Sequence, residues 1–320
     1  MSKKLLASGI LALVAIAAGC ILRRTEVTGL SSSPPYPRQE LIAEIKDFQK
    51  TLGFESGNFQ SYSEKQRALY RCYYTGKLEL PGSYDELRLA EGNASGCALD
   101  EEQYDVFFYE MEAEASGDAP VTEALAEAPL ERLLVVVPHE DFHNQKETER
   151  AAPEIAEAAS TLIGFLTASE FAKTKYGPAS ETFERLEREP ELFLAKSRIV
   201  NAYFERVGGV YRAFRSKRIG RAEALERKEE LFSELERECE AITPEPASFN
   251  PCPGASNNAG LAFERTYSRY YPKLYEVSES RVRGAGGENA GATVAALKRV
   301  LDTRPRSERD LLRALDVLAE

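Results

Sequence analysis

Only two histidines occur in this chain of 320 residues, and they stand four positions apart, in the run Leu133-Leu134-Val135-Val136-Val137-Pro138-His139-Glu140-Asp141-Phe142-His143. Positions i and i+4 share a helix face, so a helix here presents both imidazoles side by side with the Glu140 carboxylate next to the first. Proline suits the first helical position and breaks an interior. The run therefore reads as a buried strand over Leu133 to Val137 feeding a helix that begins at Pro138. A strand that leads into a helix commits the chain to a mixed architecture, with a small sheet beside the histidine helix.

H-E-x-x-H on a helix is the pattern of a zinc site in which the carboxylate serves as general base, here Glu140. The competing account is a surface helix that happens to carry a histidine pair. Zinc that activates water needs a third protein ligand and one open position. A third histidine does not exist, and the candidates are carboxylates. Fourteen residues beyond His143 stands Glu157, in Pro153-Glu154-Ile155-Ala156-Glu157-Ala158-Ala159-Ser160-Thr161-Leu162-Ile163-Gly164. That segment reads as a helix whose small residues Ala158 and Ala159 permit close packing on the histidine helix. Glu154, one turn earlier, competes for the role, and either carboxylate alone could equally be a solvated surface group.

Elsewhere the pattern divides at about residue 145. Leu41, Ile42, Ile45, Phe48 and Leu52 recur at helical spacing, which predicts an amphipathic helix over 39–52 closed by Gly53. Leu69 to Tyr74, a Thr75-Gly76 turn, Leu78 to Leu80, Tyr104 to Met111 and Leu133 to Val137 read as short strands. The Ala-, Glu- and Gly-rich stretch 112–131 reads as a surface loop. From Glu147 onward the pattern is helical, with breaks at Gly177-Pro178, near Pro190, at Gly220, across Thr243 to Pro253, at Gly284 to Gly287 and at Pro305. The expectation is an α+β fold, mostly helical: residues 39–145 hold a helix and a small sheet leading into the histidine helix, and residues 146–320 form a larger helical lobe.

The amino terminus carries Lys3 and Lys4, an apolar run from Leu5 to Ala18, then Gly19 and Cys20. This is the layout of a secretory signal over 1–19, and the small residues before Cys20 resemble a lipobox, which makes Cys20 the lipidated start of the mature chain. A short uncleaved anchor is the alternative reading. Residues 20–38, with Ser31-Ser32-Ser33-Pro34-Pro35-Tyr36-Pro37, read as an extended tether. Export to the cell envelope follows, on the periplasmic side of the outer membrane, since Ile21 stands where an inner-membrane retention signal expects Asp. In that oxidising compartment Cys72, Cys97, Cys239 and Cys252 are expected to form two disulfides. Of three possible pairings the local one, 72 with 97 and 239 with 252, is expected, and four reduced buried cysteines are the alternative. A net charge of −11 gives no electrostatic footprint for a phosphate backbone, which excludes nucleic acid as the expected partner.

With these residues in hand, the chain resembles the bacterial predicted aminopeptidases of the gluzincin kind, thermolysin-like metallopeptidases with H-E-x-x-H and a glutamate on the next helix. The resemblance rests on His139 to His143 and on Glu157 to Gly164. Looser matches are Asn257-Asn258-Ala259-Gly260-Leu261, Tyr267 to Pro272, Tyr211 to Arg215, Lys228 to Phe232, Leu80-Pro81 and Tyr84. It covers most of residues 65–302 and departs at Pro138, at Ala156 and in the absence of Trp. It implies one zinc ion per chain held by His139, His143 and Glu157, a peptide substrate, and aminopeptidase activity. Tyr267, in a matched segment, is the candidate donor to a developing oxyanion, or else one more packing tyrosine. Asn257 and Asn258 are read either as substrate contacts or as a helix cap. A non-catalytic envelope lipoprotein, with a structural zinc site serving assembly, is the reading of a different class.

Overall fold

In the computed structural model the described residues are 36–55, 57–63, 67–246, 256–285 and 290–319. The signal, lipidation and most of the tether expected over 1–38, and the expected cysteine 252, lie outside them. The chain is mixed α+β and 62% helical. After helix α1 (Gln39–Thr51) come strands β1 (Leu69–Gly76), β2 (Arg88–Asn93), β3 (Gly96–Cys97) and β4 (Tyr104–Met111). They form an antiparallel sheet in the order β3-β2-β1-β4. Then follow the short helix α2 (Glu123–Glu127) and α3 (Leu130–His143), α4 (Pro153–Tyr176), α5 (Glu181–Arg215), α6 (Arg221–Glu240), α7 (Asn258–Ser268), α8 (Tyr271–Ala285), α9 (Ala290–Asp302) and α10 (Glu308–Ala319). Among the described residues no helix is long and apolar enough to cross a membrane.

Several expectations of secondary structure are corrected. Leu133 to Val137 is the first half of α3, and Pro138 lies inside that helix. All five apolar residues and Pro138 are buried. An interior proline costs about 3 kcal/mol. Five buried aliphatic side chains at roughly 1.5–3 kcal/mol each outweigh it several-fold, so burial overrides the β-propensity of the valine run. By the same balance α5 runs unbroken through Pro190, where a break was expected. Leu78 to Leu80 is no strand: Lys77 and Leu78 form a turn closed by the Glu79 N–H donating to Gly76 O, and Thr75 and Gly76 belong to β1. Strands β2 and β3, polar and glycine-containing, escaped the sequence pattern. The second half of 112–131 is no surface loop: Thr122 caps α2 by accepting from the Leu125 N–H, and Val121, Leu125 and Ala126 are buried.

Three features position the site. Helices α3 and α4 approach closely where Gly164 faces α3; a Cβ built there would lie 3.0 Å from Val135 O and 3.3 Å from the His139 Cβ. On the sheet, the alternation of β1 and β4 turns Tyr73, Phe107 and Tyr109 onto Phe263 of α7, with ring centroids 5.3, 4.7 and 4.7 Å away. Helix α7 is thereby clamped between sheet and helices, its start capped by Asn257, whose side chain accepts from the Gly260 N–H. Cys72 of β1 is disulfide-bonded to Cys97 of β3. Cys239 is also disulfide-bonded, with its partner outside the described residues.

Candidate metal centre

Helix α3 ends at the site, and its last carbonyls are satisfied by side chains from elsewhere, as a buried helix end requires. Asn58 Nδ2 donates to Glu140 O at 3.1 Å, and Gln145 Nε2 donates to Asp141 O at 2.7 Å. The Phe142 carbonyl accepts the Thr148 hydroxyl at 2.9 Å. Asp141, fully buried, pairs with Lys46 Nζ of α1 at 3.0 Å and so pins the back of the same turn. The front of that turn carries His139 and His143, whose rings are 4.9 Å apart at their centroids.

Helix α4 supplies the third group. The Nε2 atoms of His139 and His143 are 3.2 Å apart, and Glu157 Oε2 lies 3.0 Å from His143 Nε2 and 3.3 Å from His139 Nε2. Ligands about 2.0–2.1 Å from a tetrahedral zinc stand about 3.3 Å from one another, so this triangle has the dimensions of one face of such a site. The donor set, two imidazole nitrogens and one carboxylate oxygen, is also of the type zinc takes. Among the described residues His139, His143 and Glu157 are the group placed to hold a metal ion. Glu154 is not there: its carboxylate pairs with Arg269 Nη1 at 3.0 Å.

The electrostatics follow from burying these groups together. Burial pushes the Glu140 carboxyl up to about 8, against the pull of His143. Burial also holds His139 below the usual imidazole range, with Glu157 opposing it. For His143 burial acts downward too, but Glu157 and Glu140 outweigh it and raise its pKa to about 9. Glu157 resists the upward push of burial because His143 and His139 stabilise its charge, and it sits well below the carboxylate range. A cation held by the three ligands would pull the Glu140 carboxyl back down, toward the ionised form a general base needs.

His139, Glu140, His143 and Glu157 open into a cleft of about 370 Å³ walled by Tyr73, Tyr84, Phe263 and Tyr267. Tyr267 is buried, with its ring 6.3 Å from that of His139 and inclined by 27°. Arg71 and Glu114 line the same cleft, their nearest charged atoms 3.6 Å apart. Asn257 and Asn258 are not in its wall. The first caps α7, and the second is buried, accepting the Tyr211 hydroxyl at 2.7 Å. One contributor was missed by sequence reasoning, which noted Tyr84 without a role: its hydroxyl donates to Glu157 Oε1 at 2.8 Å.

No family model, no curated protein and no solved structure matches this chain.

Proposed function

We propose that this chain is a zinc-dependent peptidase, of aminopeptidase kind on the resemblance to the gluzincin family, exported and anchored to the cell envelope through Cys20. The observation that supports it most is the triangle of His139 Nε2, His143 Nε2 and Glu157 Oε2, with edges of 3.0, 3.2 and 3.3 Å. It opens into a cleft that Glu140 also lines. A structural zinc site fills all four positions with protein ligands and needs no carboxylate base; three ligands beside a free carboxylate in an open cleft suit hydrolysis.

A zinc ion held by His139, His143 and Glu157 would supply Lewis acidity for the scissile carbonyl and would make water ionisable near neutral pH. The Glu140 carboxylate accepts the proton of the attacking water and passes it to the leaving amine. Tyr267, which lines the same cleft, is the candidate to donate its hydroxyl to the developing oxyanion. The aromatic wall of Tyr73, Phe263 and Tyr267 excludes water on one side and offers apolar surface to a substrate side chain.

The test is elemental analysis of the protein lacking residues 1–20, alongside a peptide-library assay of wild type and Glu140→Gln. About one zinc per chain in both, with hydrolysis only in the wild type, is the expected result. Absence of metal from the wild type sinks the reading. Metal without hydrolysis of any peptide moves the weight to an envelope binding module.

A further inference from the structure

Resting on the metal-centre reading above, we propose that Tyr84 is a positioning residue that keeps Glu157 a one-oxygen ligand and so sets the centre for a four-coordinate cation. Its hydroxyl donates to Glu157 Oε1 at 2.8 Å, while Oε2 is the oxygen that faces His143 and His139 at 3.0 and 3.3 Å. The two oxygens of one carboxylate are thereby given different tasks.

The phenol cannot easily swing away. Tyr84 opens a single 3₁₀ turn, Tyr84–Glu86. Its backbone N–H donates to Thr266 Oγ1 of α7 at 2.9 Å, and the Thr266 hydroxyl donates in turn to Ala262 O at 3.2 Å. The ring is set among those of Tyr73, Phe263 and Tyr267, with centroids 6.2, 5.9 and 6.4 Å away. Backbone and ring are thus both held against α7 and the sheet, which aims the hydroxyl at α4.

The consequence is chemical. A carboxylate can bind a cation through one oxygen or chelate it through both, and ions that take six or more oxygen ligands commonly use the second mode. A hydrogen bond into Oε1 fixes the rotation of the carboxylate and competes with chelation for that oxygen. Three single-atom ligands and one open position remain, which zinc accepts readily and which suits ions of higher coordination number poorly. Without the hydroxyl, the Glu157 carboxylate is free to rotate about its terminal bond and present both oxygens.

Cobalt(II) reads this directly, because its visible absorption is intense when four-coordinate and weak when five- or six-coordinate. The experiment loads the full chain, wild type and Tyr84→Phe, with Co²⁺, records the visible spectrum, and measures zinc affinity by chelator competition and the melting midpoint of the metal-free proteins. Tyr84→Phe keeps the ring and removes only the donor. The expected result is an intense wild-type spectrum, a weaker and shifted one in the variant, and a zinc affinity lower by about 10–100-fold, the usual loss when an outer partner of a ligand is removed. Identical spectra and affinities in the two proteins overturn the proposal, and a lowered metal-free melting midpoint as the sole change overturns it too, marking Tyr84 as packing alone. Failure of the wild type to bind either ion overturns the metal-centre reading together with it, a result distinct from the other two.

Discussion

Glu154 and Glu157 stand one turn apart on α4, and their neighbours decide which of them is available to a cation. Arg269 engages Glu154, whereas Glu157 faces two imidazoles and a phenol. Glu154→Ala is therefore expected to leave metal stoichiometry at about one per chain. Glu157→Ala should lower zinc affinity by more than the roughly 10–100-fold that loss of an outer partner costs. Equilibrium dialysis against zinc measures both, and equal losses in the two variants would contradict the assignment. The histidines and Glu157 were legible because the chemistry of a metal restricts the residue types and helical periodicity restricts the spacing. The choice between Glu154 and Glu157 was only partly legible, since the guanidinium that engages Glu154 comes from a residue 115 positions away. Tyr84 stood in a matched segment, but nothing in the sequence signalled its role. Its partner is 73 positions distant, and nothing local distinguishes a tyrosine that aims at a ligand from one that fills a core.

At the scale of elements, the histidine helix departs furthest from its sequence pattern. A run of valines before a proline carries strand propensity and a helix-breaking residue, and both signals are local. Burial on every side of α3 is not local, and it prevails. The close packing of α4 on α3 was legible from its small residues, and Gly164 shows how close it is. Alanine in place of a helical glycine gains about 1 kcal/mol of propensity, but here the new methyl would stand 3.0 Å from the carbonyl of Val135, a backbone atom that cannot turn aside. Overpacking of that kind costs typically 1–3 kcal/mol. The expectation for Gly164→Ala is a net destabilisation of roughly 0–2 kcal/mol with weaker zinc binding, because the triangle spans the two helices. A denaturant titration and a zinc titration check the two parts, and a variant of unchanged zinc affinity would show that the interhelical distance is not what sets the site. The Lys46–Asp141 pair binds α1 to the same turn, with side chains 9% and 0% exposed. Lys46→Met removes the counter-charge of a buried carboxylate and should cost about 3–5 kcal/mol, whereas Lys46→Met with Asp141→Leu should recover most of it. Chemical unfolding of the single and double variants decides. A double variant no more stable than the single would show that the ion pair is not the origin of the loss.

Fifteen tyrosines could be counted in the sequence as material for a core, but which of them are sealed depends on the assembled molecule. Tyr211, Tyr267 and Tyr271 are buried in different parts of it. Tyr211 belongs to the cluster around α5 and α6, and the other two to the main core. Burial drives all three phenols above the ordinary tyrosine value. Tyr211 also donates to Asn258 Oδ1 at 2.7 Å and Tyr271 to Pro190 O at 3.1 Å. A group whose pKa is raised on folding stabilises the fold fully below its unfolded value and ceases to do so as pH climbs through the folded one. The window therefore opens near pH 10, where free tyrosine ionises, and extends upward. Each sealed phenol withdraws about 1.4 kcal/mol per pH unit in that window, so three withdraw about 4 kcal/mol per unit. Against a total stability of about 5–15 kcal/mol, folding should fail between one and a few units above pH 10. The expected alkaline titration has two phases: exposed tyrosines ionise gradually near pH 10, and the sealed ones appear in one cooperative step that coincides with loss of helical circular dichroism. If tyrosinate absorbance instead reaches completion near pH 10 with the helices intact, these three phenols are open to solvent and the packing around α7, on which the wall of the cleft depends, is looser than described here.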